Sequence, residues 1–294
     1  MTIETIKTNA MLCDPETGVC EIPATQVKPI RITYFTDPIC STCWGVEPQL
    51  RKLKLEYGEY FDIEYFMGGL LPSWEIYNSG GISKASDVAP HWDEVSAHYE
   101  MPIDGDVWLE DPLPSSYPPS VAFKAAQLQG EALALNFLRN IREKVFLEKK
   151  NITRWEHLAQ AALETGLDVA QFQKDYEGRA QDLFQADLTF ARQMGVRGFP
   201  TFFFTDAELN RLTVYGFRPY DLFEQTLLKL YPRASKKTID PNEVFRHYPS
   251  LTTKEFALLT GRDFQAAELE LENTFLQGNL QKLSTKNGNL WWEI

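Results

Sequence analysis

The sequence predicts an α/β chain that carries an all-helical insertion and ends in a small separate module. Three observations support this. A β-branched and aromatic run, Ile30 to Thr36, feeds a loop and then a segment in which Val46, Leu50, Leu53 and Tyr57 recur at helical spacing. A long stretch of helical periodicity with no strand signal follows. Strand-like residues then return after Pro200 and again from Leu212 to Phe217, and an amphipathic segment from Tyr220 to Leu230 closes the pattern.

Taken in order, residues 1–28 hold Cys13-Asp14-Pro15-Glu16-Thr17-Gly18-Val19-Cys20. The Asp-Pro and Thr-Gly pairs favour turns that bring the two thiols together, so this part is expected to be a poorly packed arm. The strand Ile30–Thr36 leads into a helix with Pro48 near its first turn and Gly58 as its stop signal. Phe61 to Met67 forms a second strand, and strand–helix–strand implies a right-handed crossover and a parallel pair. Residues 29–69 and 196–232 are expected to build this α/β domain around an inserted helical subdomain, 70–195. The insertion opens with a loop-rich stretch (Pro72, Gly80-Gly81, Pro90, Asp111-Pro112-Leu113-Pro114). Helices follow over Val121–Leu128 and Leu133–Leu147, the latter with Leu138, Ile141 and Val145 on one face. Thr153 with Glu156 has the form of a capping box, and Asp168 with Gln171 a similar one. In the C-terminal extension, 236–294, Thr252 to Glu255 caps one helix, Gly261 ends it, Asp263 caps another, and Leu280 to Ile294 reads as a hairpin around Asn287-Gly288. Two helices and a hairpin give a winged-helix-like expectation.

With 44% hydrophobic and 24% charged residues, the 294-residue chain has an ordinary globular composition. A net charge of −12 argues against a nucleic-acid partner, because phosphate binding needs a basic surface. The second helix of the extension, with Asp263, Glu268, Glu270 and Glu272, would be repelled by phosphate, which favours a protein contact. No run approaches the roughly 18 apolar residues of a membrane span, and the N-terminus lacks the apolar and basic parts of a secretory signal. The expectation is a cytoplasmic protein with no membrane partner.

Four cysteines are too few for a disulfide scaffold, and they fall as two pairs, Cys13/Cys20 and Cys40/Cys43. The sequence Cys40-Ser41-Thr42-Cys43 lies between a predicted strand and a predicted helix. The free N–H groups and dipole of that helix would favour a thiolate at Cys40, with Cys43 one turn further on. Two thiols in that position read as redox chemistry rather than as two small buried hydrophobes. Cys13 and Cys20 admit three readings: an auxiliary redox pair, zinc ligands together with Cys40 and Cys43, or idle thiols. Their spacing fits common zinc sites poorly. Trp44 packs over the dithiol or belongs to the core. Glu47 is a proton acceptor for Cys43 or a first-turn stabiliser of its helix. The histidines form no metal-binding pair, and no cofactor or metal is called for.

Cys40-Ser41-Thr42-Cys43, the helical insertion entered near Tyr117-Pro118-Pro119-Ser120, and Gly195-Val196-Arg197-Gly198-Phe199-Pro200-Thr201 together resemble the DsbA-like branch of the thioredoxin superfamily. Within it the chain is similar to FrnE-type dithiol-disulfide oxidoreductases and to the YjbH group, adaptors that deliver a transcription regulator to the ClpXP protease. The resemblance covers about residues 28 to 232. It implies a thioredoxin-like fold, Cys40 as attacking thiol, Cys43 as resolving thiol, and Pro200 as a cis-proline beside them, with Phe199 exposing backbone to a bound peptide. Ser41-Thr42 stands where the DsbA type has Pro-His, which argues against a strongly oxidising potential. The leading expectation is a thiol–disulfide oxidoreductase or isomerase acting on protein or peptide thiols and disulfides. The alternative is an adaptor that binds a client protein through the same groove and the C-terminal extension.

Overall fold

A computed structural model of the chain describes residues 12–13, 20–21, 27–77 and 80–294, with backbone alone at 12–13 and 20–21. Two short strands, β1 (Leu12–Cys13) and β2 (Cys20–Glu21), pair antiparallel with Cys13 opposite Cys20. The rest of the expected arm, and the cysteine side chains, lie outside the described residues.

β3 (Ile30–Thr36) runs into α1 (Ser41–Gly45) and α2 (Glu47–Tyr57), and β4 (Phe61–Met67) returns parallel to it, with Ile30 opposite Phe61 and Thr36 opposite Met67. Helices α3 (Ala85–Tyr99), α4 (Val107–Glu110), α5 (Tyr117–Gln127), α6 (Glu131–Phe146), α7 (Trp155–Glu164), α8 (Val169–Glu177) and α9 (Arg179–Gln193) follow. β5 (Thr201–Asp206), β6 (Arg211–Tyr215) and α10 (Tyr220–Leu230) then complete a four-stranded sheet of order β4-β3-β5-β6. This is the thioredoxin-like α/β fold with a large helical content that the sequence implied.

β3 is buried on both faces, which explains its unbroken apolar character. Ile32 and Tyr34 pack with Phe202 and Phe204 against α2 and α10, while Phe35 and Phe203 face Phe190 on α9. The last stretch comprises α11 (Val244–His247), β7 (Ser250–Thr252), α12 (Thr253–Thr260), α13 (Phe264–Leu276), β8 (Leu280–Thr285) and β9 (Gly288–Glu293). Its sheet order is β7-β9-β8, so the strand before the helices pairs with the second strand of the hairpin, in keeping with the winged-helix-like expectation. Leu251, Phe256, Leu271 and Trp291 form its own core. Thr252 and Glu255 make a full capping box on α12, and Gly261 ends it at φ 70°, the left-handed conformation glycine tolerates.

Two local expectations are corrected. Pro90, assigned to a loop, sits inside α3, near its N-terminal end and exposed. Thr153 does not cap α7: both its N–H and its hydroxyl bond Asn151 Oδ1, at 3.0 and 2.6 Å, and Arg154 takes the cap position instead.

Candidate functional site

The loop after β3 is fixed by one carboxylate. Asp37 accepts the Ile39 N–H at 3.1 Å, the Leu70 N–H at 2.7 Å and the Ser116 hydroxyl at 2.8 Å, which joins β3 to the end of β4 and to the start of α5. Burial pushes its pKa from the ordinary 3.8 up to about 6 despite these three donors. The loop delivers Cys40 to the N-cap of α1, where its Sγ accepts the Cys43 N–H at 3.3 Å.

Opposite Cys40 stands the segment before β5. The Phe199–Pro200 peptide is cis, and the Cys40 thiol lies 3.8 Å from the Phe199 carbonyl. The Phe199 ring is seated on Gly68; a Cβ there would come within 1.9 Å of it, so no other residue fits without displacing the ring. The structure therefore brings Cys40, Cys43, Phe199 and Pro200 together, as the resemblance implied. Tyr117, with prolines in the first turn of α5, packs edge-on to Phe184 at 4.9 Å rather than joining this group.

The expected thiolate at Cys40 is corrected. Cys40 is only 5% exposed and Cys43 is fully buried. Burial pushes the Cys40 thiol up, and its neighbour Cys43 adds to the effect. Burial also raises Cys43, but the hydrogen bond from Cys40, the charge of Arg142 and the Thr36 hydroxyl outweigh it and hold that thiol below its ordinary value.

Arg142 is the residue that sequence reasoning missed. It is 1% exposed, donates to the Thr36 hydroxyl at 2.6 Å and to Glu47 at 3.1 Å, and lies on the buried side of α6 beside Leu138, Ile141 and Val145. A charge beside an apolar stripe was the available signal. Glu47 is neither a free proton acceptor nor simply a dipole stabiliser, because it joins Arg142 to Arg51, at 3.7 Å on its other oxygen. Trp44 is core: fully buried, its indole N–H bonds the Pro102 carbonyl at 3.0 Å and its ring stacks on Phe146.

A second buried charge cluster ties the C-terminal module down. Glu255 on α12, with a fully buried side chain, receives both Nη atoms of Arg139 at 2.7 and 3.0 Å, Arg51 Nε at 3.2 Å and the Thr252 N–H at 2.7 Å. Arg51 also donates to the Ser250 carbonyl at 2.7 Å. At the far end of the module, Lys286 pairs with Asp93 and Asp106 at 2.8 and 2.6 Å.

A family profile described as Thioredoxin matches residues 34–225. A protein of Halalkalibacterium halodurans named ClpXP adapter protein SpxH is 33% identical over 297 residues, covering 96% of this chain and 97% of that one. Its namesake in Bacillus subtilis is 34% identical, covering 90% and 89%. Among solved structures, the cytosolic disulfide reductase DsbM from Pseudomonas aeruginosa superposes with a TM-score of 0.55 at 22% identity, over 68% of this chain and 99% of that one. These findings overturn the leading expectation of a thiol–disulfide oxidoreductase or isomerase. The proteins alike over nearly the whole chain are named as adapters, whereas the likeness to a disulfide reductase is one of fold.

Proposed function

This chain belongs to the thioredoxin family and, within it, to the group of the SpxH proteins, and on that footing we propose that it is an adaptor that holds a client protein for the ClpXP protease. Coverage carries the proposal. The Thioredoxin profile stops at residue 225, before the α11–β9 module, and a relative that spans 96% of the chain shares most of that module. The module is held to both α2 and α6 by buried charges, which suits a rigid two-part binding surface. In this reading the α/β domain (29–69 and 196–232) and its insertion (70–195) present the client-facing surface. Phe199 and Pro200 form its backbone edge and the Cys40/Cys43 pair its floor, while 236–294 supplies the second contact. The cytoplasmic setting belongs to the same proposal; among the described residues no helix is long and apolar enough to cross a membrane.

Protein half-lives measured across the proteome, with and without this chain, test the reading. One or a few proteins should persist several-fold longer in its absence, and the effect should vanish in cells that also lack ClpX. The doubly substituted Cys40→Ser/Cys43→Ser chain should restore turnover. Half-lives that do not respond to the chain, or that respond equally without ClpX, would sink the adaptor reading.

A further inference from the structure

Beside Cys40 lies a cavity of about 160 Å³ whose lining includes Trp74, Val88, Trp92, Trp108 and Phe199. We propose that it receives an aromatic side chain of the client segment; this rests on the adaptor reading for the occupant's source, not for its chemistry. Size is the first argument. An enclosed apolar cavity of about 150 Å³ holds a benzene ring; this one is open on one side and lined also by Ser41, Thr42 and Tyr77, and it has room for a single six-membered ring. The walls are the second. Trp92 and Trp108 meet edge to face at 5.2 Å and 86°, and Trp74 meets Trp108 the same way at 5.9 Å. An inserted ring would complete an arrangement that aromatic groups favour. Trp92, Trp108 and Val88 are buried, whereas His91 is exposed and so stands at the rim.

Continuity with the chain edge is the third argument. Phe199 is one of the residues lining the cavity, and its N–H has no hydrogen-bond partner among the described residues. An extended segment pairing with that N–H would run past the rim. Its side chains would alternate, so that one in two faces the cavity.

The test uses the full chain with two probes: fluorobenzene, followed by fluorine NMR line broadening, and a short capped alanine peptide with one central phenylalanine, compared with its all-alanine counterpart. Fluorobenzene should bind, and the phenylalanine peptide should bind about tenfold or more tightly than the alanine one. Val88→Phe should fill the cavity and abolish both effects. Ile82→Trp, at a partly exposed position in the lining, does the same should Val88→Phe fail to fold by circular dichroism. No fluorobenzene binding, or equal affinity for the two peptides, overturns the proposal. So does undiminished client turnover in filled variants that no longer bind fluorobenzene, an outcome that leaves the adaptor reading intact. Ring and peptide binding in a chain that alters no protein's half-life would support the site and remove the adaptor reading.

Discussion

Replacing Glu255 with glutamine keeps the side chain's volume and removes its charge, which isolates the ionic part of the clasp. The carboxylate is shielded from water and serves Arg139 through two hydrogen bonds, Arg51 through an ion pair and its own Thr252 N–H. An uncharged amide leaves two guanidinium groups, both largely buried, without their shared counter-charge, and breaking a buried pair from one side costs about 3–5 kcal/mol. The loss should appear in urea denaturation, and hydrogen exchange should speed up first in β7, α12 and β9, which the clasp holds. Added salt should change the wild-type value little, because screening scarcely reaches buried pairs. The pH dependence has a defined sign. Burial alone would raise Glu255, but the charges of Arg139 and Arg51 outweigh it and hold the group below its ordinary 4.5. Its contribution is therefore present above about 4.5, the unfolded value, and is lost as pH falls through the lower folded one. A Glu255→Gln chain within ~0.5 kcal/mol of wild type, an ordinary surface effect, would refute the clasp.

Three further perturbations probe the site. Asp37 titrates near 6 when folded against 3.8 unfolded, so the folded state binds its proton more tightly. Its stabilising effect is complete below about 3.8 and is lost as pH rises through 6, a change of about 3 kcal/mol that Asp37→Asn should flatten in unfolding measured from pH 4 to 7. Arg142→Met removes the cation beside Cys43, so the midpoint of thiolate ultraviolet absorbance should move to higher pH; an unchanged midpoint would show that Arg142 does not hold the charge. Gly68→Ala drives a methyl into the Phe199 ring and should destabilise by about 1–3 kcal/mol in chemical denaturation, with a loss of client binding if Phe199 forms the client edge.

Where structure depends on neighbours in sequence, the chain was legible. The strand–thiol–helix stretch, the proline before β5 and the caps at Thr252 and Asp263 all use short-range rules, and each lies where those rules place it. Thr153 shows the limit even there: its residue pattern matches that of Thr252, but Asn151 two positions back offers its hydroxyl a better partner. The thiolate expectation failed for a different reason. Helix dipole and cap position can be read locally, but burial cannot, and it is burial that raises Cys40.

Glu255 was readable as a cap and not as a clasp, because Arg139 stands 116 positions away. The same distance in sequence hid how the site and the C-terminal module are joined. Glu47 begins α2, directly after the dithiol helix, and holds Arg142 on one oxygen and Arg51 on the other. Arg142 lies against Thr36 and supports the Cys43 charge, while Arg51 grips Glu255 and Ser250. Charges this close in a low-dielectric interior are strongly coupled. Substituting Glu47 should therefore disturb both the thiol pair and the seat of the module, whereas substituting Lys286, at the module's far end, should disturb the seat alone. Read piece by piece, the sequence separates a thiol site from an appended module; the buried charges on α2 and α6 make the two a single structural unit.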